Sequence, residues 1–319
     1  MAGLTFIHFF RQKGGFPYME PQEIIRRYKA EHSAIVAAHT YQNPEVQDCA
    51  DLLGDSFALA QKAQQSDARE VFLCGVRFMA EGIKILCPDK RVVLVEPQAD
   101  CPMARQIDPR RVVEFRAAHP EFAIVAYINT TAALKAVCDV CVTSSSALRI
   151  VRALPQRDIL FLPDQNLGDY IRRQVPDKNI VTWEGYCPVH HALTADIVRT
   201  AKAAHPQAKV AMHPECPPAA LELADMVGST ADIIRYIETS SDEILVATER
   251  GVTDKLSLRF PGRLHQVGGD LLTCPDMKLT TRSSLAAAME GTGGEEIQLD
   301  PALMAAARNS LERMIALGK

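Results

Sequence analysis

The chain lacks most of the features that would assign it quickly. No apolar run approaches the ~18–20 residues that a membrane helix needs. The apolar stretch Leu4–Phe10 has no basic region before it and no small-residue cleavage site after it, so no export signal is recognised. Met19 is a candidate natural start, with residues 1–18 a loose extension. There is no dense Lys/Arg tract and the formal net charge is −4, which removes the usual footprint of nucleic-acid or anionic-membrane binding. Neither G-x-G-x-x-G nor G-x-x-x-x-G-K occurs, so neither nucleotide fingerprint applies. No segment is of low complexity beyond the short hydroxyl run Ser144–Ser146. The expectation is a cytoplasmic protein.

Cysteine is the residue in unusual supply. Nine are present, an odd number, and without an export signal a disulfide framework is not expected. Cytosolic cysteines serve instead as small buried hydrophobes, metal ligands or nucleophiles. Cys138 and Cys141 have C-x-x-C spacing but no second pair or nearby His, and are expected to be packing residues. Phe78, Met79 and Trp183 are expected to pack as well.

At 319 residues, 47% hydrophobic and 23% charged, the chain is an ordinary globular composition with room for two or three domains. Apolar runs of strand length lie at Ile35–Ala38, Val71–Cys74, Val92–Val95, Ile124–Tyr127, Ile159–Leu162, Ile180–Thr182, Lys209–Met212, Ile244–Ala247 and Leu264–Val267. Helical patterns at Pro21–Glu31, Pro109–His119 and Thr194–His205 each feed a strand. Wholly apolar strands alternating with helices predict an α/β fold with parallel sheets covered on both faces.

The pattern also repeats. IIRRYKAEHSAIVA, VVEFRAAHPEFAIVA and IVRTAKAAHPQAKVA each read as a helix running into a strand. Superposing them aligns His39, Tyr127 and His213 at separations of 88 and 86 residues, and two residues later Tyr41, Asn129 and Glu215. Ser56, Ser144 and Thr230 keep the same 88 and 86, while Cys101, Cys187 and Cys274, each before a proline, recur at 86 and 87. Four classes of polar residue in one register are poorly explained by generic α/β rhythm. Repeats of this length predict three similar small α/β domains, 19–106, 107–192 and 193–280, followed by C-terminal helices over 281–319. A pseudo-threefold ring of such domains points the carboxyl ends of all strands, where ligands bind in parallel sheets, at one central cavity.

Each Cys-Pro pair falls just after the third apolar run of its repeat, so symmetry brings the three sulfurs to the axis. Three thiolates suit a 4Fe–4S cluster with its fourth iron open, or a Cys₃ zinc site, and spacing does not separate the two. His190 and Cys216 lie close in motif terms to that open corner but do not recur in the other repeats. His39, Tyr41, Tyr127, Asn129, His213 and Glu215 supply neutral donors, phenols and one carboxylate. Glu215 is the natural general base if burial raises its pKa. Ser56, Ser144 and Thr230 precede helical patterns and serve either as N-caps or as part of anion sites at helix N-termini.

The strings AHTYQNPEVQDCADLLGDS (38–56), GVRFMAEGIKIL (75–86), DCPMA (100–104), YINTTA (127–132), PDQNLGDY (163–170), GYCPVHH (185–191), MHPEC (212–216), VGST (227–230) and ATERG (247–251) resemble the quinolinate synthase family from about residue 20 to the last helix. The resemblance implies three α/β domains around one 4Fe–4S cluster, and condensation of iminosuccinate with dihydroxyacetone phosphate to quinolinate, phosphate and water in NAD biosynthesis. It implies Cys101, Cys187 and Cys274 as cluster ligands, with LLTCPDMKLTT around the third as in the branch lacking C-x-x-C-x-x-C. It implies His39, Ser56, Tyr127, Asn129, Ser144, His213 and Thr230 as holders of the substrate carboxylates and phosphate. Tyr41 and Glu215 match the proton-transfer positions, His213 is implied as catalytic with them and Glu215 as substrate-binding too, and the open iron would be the Lewis acid for dehydration. An aspartate oxidase or dehydrogenase would supply the iminosuccinate. Rival expectations are another 4Fe–4S hydro-lyase for a small carboxylate, or a non-catalytic iron–sulfur or zinc protein.

Overall fold

A computed structural model describes residues 19–318; the extension expected over 1–18 lies outside them. The chain forms three four-stranded parallel sheets in succession. The first holds β1 (Ala34–His39), β2 (Leu52–Gly54), β3 (Glu70–Cys74) and β4 (Arg91–Leu94). The second holds β5 (Ala123–Tyr127), β6 (Val140–Val142), β7 (Asp158–Leu162) and β8 (Asn179–Thr182), and the third β9 (Lys209–Met212), β10 (Met226–Val227), β11 (Ile244–Ala247) and β12 (Leu264–Gln266). Their spatial orders are β2-β1-β3-β4, β6-β5-β7-β8 and β10-β9-β11-β12, the same topology three times. The first sheet gains an antiparallel edge, β13 (Glu295–Glu296), beside β4.

All nine apolar runs form strands, because β-branched side chains that are buried on both faces suit the interior of a parallel sheet. Alternation along the strands is visible in the third unit, where Val210 and Met212 pack on one face with Leu245 and Ala247. Ala211, Ile244 and Val246 pack on the other, as a period of two requires. The sequence reading missed the short edge strands β2, β6 and β10, so the Cys-Pro pairs follow the fourth strand of each unit, not the third. These edges are held by a further register: Asp51, Asp139 and Asp225 accept the N–H of Val36, Ile124 and Val210 at 2.8, 2.7 and 2.9 Å. Each aspartate also donates its own N–H back to the same residue's carbonyl, tying every edge strand to the first strand of its unit.

The C-terminal helix Pro301–Leu317 buries Ala307, Leu311 and Met314 in a core shared by the first two units. Ser310 on that helix donates to the Lys135 carbonyl at 2.9 Å and faces the Cys141 sulfur. Cys138 donates to Leu134 O at 3.0 Å, so this C-x-x-C pair is packing. Among the described residues no helix is long and apolar enough to cross a membrane.

Candidate active site

The strands of all three units end at one cavity of about 370 Å³. Its wall includes all twelve residues singled out from the sequence: Cys101, Cys187 and Cys274; His39, Tyr127 and His213; Tyr41, Asn129 and Glu215; and Ser56, Ser144 and Thr230. Cys216, buried and directed at Ala247 O, is not part of that wall.

Each of the three cysteines is the N-cap residue, in extended conformation, of a short helical turn that starts with its proline: Pro102–Arg105, Pro188–His191 and Pro275–Lys278. Proline favours the first helical position because it has no N–H to leave unpaired. The Cys-Pro dipeptide therefore turns the chain with the cysteine at the cavity wall. Burial pushes the Cys101 thiol up to about 12 and the Cys274 thiol up to about 11, and raises Cys187 well above its ordinary value. Such thiols ionise readily only when a cation offsets the charge. Among the described residues the metal-donor triads gathered within 4.8 Å are Cys187–His190–Glu215 and His205–Glu243–His265, so the three sulfurs do not all meet that limit. One zinc with ~2.3 Å bonds would draw three thiolates to ~3.8 Å of each other.

His39 and His213 occupy equivalent strand ends and share one device. The Nδ1 of each accepts the backbone N–H two residues on, from Tyr41 at 3.1 Å and Glu215 at 3.3 Å. A neutral ring then carries its proton on Nε2. Burial drives His39 down to about 3 and His213 down to about 4, so both are neutral donors at physiological pH. Because an unfolded His titrates near 6.5, the unfolded chain binds more protons between about 6.5 and these lowered values, and stability falls as pH drops through that window. At pH 5 the His39 contribution alone is about 2 kcal/mol. Thermal denaturation at pH 7 and pH 5 is expected to show a fall that His39→Gln makes shallower.

Glu215 departs from the sequence expectation. Burial does push its carboxyl up, but the charge and hydrogen bond of His190, with a hydrogen bond from Tyr127, outweigh it and hold Glu215 below the usual range. His190 lies with Nδ1 2.8 Å from Glu215 Oε2 and 3.3 Å from Cys187 Sγ, while its Nε2 is 3.2 Å from Thr248 Oγ1. His190 thus links a cysteine to the carboxylate, a role that a residue absent from the other repeats did not advertise. Burial, then the Glu215 charge, raises the neighbouring Asp164; the pKa values of two nearby carboxylates are pushed apart in this way. Tyr41 meets Thr230 and Thr248 through its hydroxyl at 2.7 and 3.1 Å, and burial holds its phenol protonated.

The hydroxyl register is not a capping register. The helices Ser56–Gln65, Ala147–Ala153 and Thr230–Thr239 are preceded by Asp55, Ser146 and Ser229 as N-cap residues. Asp55 accepts Ala58 N–H at 2.9 Å and Ser229 accepts Asp232 N–H at 3.2 Å. Ser146 makes no capping hydrogen bond; with none of the three acting as a cap, Ser56, Ser144 and Thr230 line the cavity.

Two positioning residues carried a signal that the sequence reading passed over. Gln47 donates to the carbonyls of Thr40 and Gln42 at 3.0 and 2.8 Å, bracing the turn at Tyr41. Lys135, 88 residues later and fully buried, donates to Ile128 O at 2.9 Å and to Thr130 O, bracing Asn129.

The family model described as "Quinolinate synthetase A protein" matches residues 23–316. The chain belongs to the quinolinate synthase family. It is 44% identical over 297 residues to the quinolinate synthase of Methanoregula boonei, covering 93% of this chain and 98% of that one. The quinolinate synthase of Aquifex aeolicus is 42% identical over 304 residues, covering 93% and 94%, and that of Caldicellulosiruptor bescii 40% over 295 residues, covering 92% and 97%. Membership makes the chain an enzyme, and the three-sheet architecture described above is that of a quinolinate synthase.

Proposed function

We propose that this quinolinate synthase condenses iminosuccinate with dihydroxyacetone phosphate to give quinolinate, phosphate and two waters, a redox-neutral sum. The proposal includes the division into units 19–106, 107–192 and 193–280, each contributing one cysteine, one strand-end aromatic or imidazole and one hydroxyl. The observation that carries it is the meeting of all three sets in one cavity. Half-buried thiols from three units, which do not all lie within 4.8 Å of one another, suit the corners of a 4Fe–4S cluster. Such a cluster, held by Cys101, Cys187 and Cys274, would supply a Lewis acid at an iron without a protein ligand.

The chain's own residues do the rest. The Nε2–H groups of His39 and His213, with Tyr127 and Asn129, are suited to substrate carboxylates, since neutral donors bind anions without competing for protons. Ser56 and Thr230, each the first residue of a helix, and Ser144, two residues before the N-cap of another, are suited to the phosphate, where hydroxyl donors and the helix dipole favour an anion. Glu215, held ionised beside His190 and Tyr127, accepts a proton, and the Tyr41 phenol returns one. Holding two anions in one walled cavity removes the entropy of their encounter and shields an imine from hydrolysis. Because iminosuccinate is unstable, an aspartate oxidase or dehydrogenase would feed this enzyme.

Anaerobically prepared protein is expected to contain iron and sulfide in equal amounts and to form quinolinate from the two substrates. Zinc without sulfide, or an iron–sulfur protein that makes no quinolinate, would overturn the proposal.

A further inference from the structure

Two buried carboxylates have no part in the scheme above, yet they perform the same pair of tasks. Asp164 lies two residues beyond β7, fully buried. Its Oδ1 accepts the N–H groups of Asn166 and Leu167 at 2.7 and 3.1 Å, capping the helix Gln165–Gln174. Its Oδ2 accepts the N–H of Cys187 at 2.7 Å. Glu249 lies two residues beyond β11, the equivalent place in the next unit, and is also fully buried. Its Oε2 accepts Gly251 N–H at 2.6 Å at the start of the helix Arg250–Ser257, and its Oε1 accepts Cys274 N–H at 3.1 Å. Lys278 pairs with the same carboxylate at 3.0 Å.

In the first unit the equivalent residue is Val76, which caps nothing. There Asp100, directly before Cys101, accepts the Cys101 N–H at 2.9 Å instead. Every one of the three cysteine amides is therefore bound to a carboxylate oxygen, by two different routes. The need is general: an N-cap residue's own N–H has no partner inside the turn it begins, and a buried donor without one is costly. In the second and third units the solution does more, because one oxygen grips the strand-to-helix corner and the other grips a loop 23 or 25 residues away.

We infer that Asp164 and Glu249 are positioning residues, two-handed clamps that fix the Cys187 and Cys274 loops to their sheets so that the sulfurs are presented in place before anything binds to them. The inference rests on the assignment of those cysteines as cluster ligands in the proposed function. An amide cannot replace such a clamp, because its NH₂ would face one of the N–H donors that the carboxylate accepts.

The test compares Asp164→Asn and Glu249→Gln with wild type, each reconstituted anaerobically with iron and sulfide. Asp300→Asn is the control, since exposed Asp300 caps the helix Pro301–Leu317 through Ala302 and Leu303 at 2.9 and 3.0 Å and lies outside the cavity wall. Iron loss to a chelator is expected to be about 10–100-fold faster in both clamp variants, with an altered EPR line shape of the reduced cluster, while the control matches wild type in both. Wild-type iron retention and an unchanged spectrum in both clamp variants would overturn the inference. Should wild type bind zinc without sulfide, the cluster assignment fails separately, and the clamps are judged by zinc release in the same variants. If a clamp variant does not fold, hydrogen exchange of cluster-free wild type decides: slow exchange at the Cys187 and Cys274 amides supports the clamps, and exchange as fast as in an exposed loop refutes them.

Discussion

Cys274→Ser, like Cys101→Ser and Cys187→Ser, is expected to lose the cluster and with it all quinolinate formation above background. All three sulfurs line the one cavity, and a serine hydroxyl there is both harder to ionise and a poorer partner for iron than a thiolate. The opposite result is expected for Cys138→Ser and Cys141→Ser. Their sulfurs face Leu134 O and Ser310 Oγ, outside the cavity wall, and iron content should stay near wild type. Iron and sulfide analysis beside a quinolinate assay checks both halves. A Cys138→Ser protein without cluster, alongside a Cys274→Ser protein that keeps it, would show that the three-unit convergence does not hold the metal.

Glu215→Gln should keep its cluster and lose turnover by about 10²-fold or more. The substitution preserves size and the capacity to bond His190, 2.8 Å away, but removes the charge that His190 and Tyr127 stabilise. Ser56→Ala is the contrasting variant. Ser56 sits at the cavity wall with its helix capped by Asp55, so losing its hydroxyl should raise the apparent KM for dihydroxyacetone phosphate and leave kcat nearly intact. Thr230→Ala will be less clean, because Thr230 also holds the Tyr41 hydroxyl at 2.7 Å, and a loss in kcat should accompany the loss in affinity. Steady-state kinetics on the three proteins separates these effects. An equal fall in kcat alone for all of them would refute the division between proton transfer and anion binding.

What could be seen in the sequence was whatever depends on local pattern and on register. Ile124–Tyr127 or Ile244–Ala247 announces a buried strand because apolar side chains on both faces need a sheet covered on both sides. The coincidence of His39, Tyr127 and His213, or of the three Cys-Pro pairs, survives translation along the chain because each unit has the same topology. From repetition alone the twelve cavity residues followed. The edge strands Leu52–Gly54 and Met226–Val227 did not, since two or three residues carry no periodicity. Tertiary structure alone decided the electrostatics and the supports. His190 breaks the repeat, so register said nothing of its bond to Glu215, and that bond turns a carboxylate expected to be raised by burial into one held low. Asp164 and Glu249 reach cysteine amides 23 and 25 residues away, and in the first unit Val76 stands where they would be. Sequence reveals what recurs along the chain, whereas a pKa or an amide's partner is set by neighbours in space, and those the fold alone supplies.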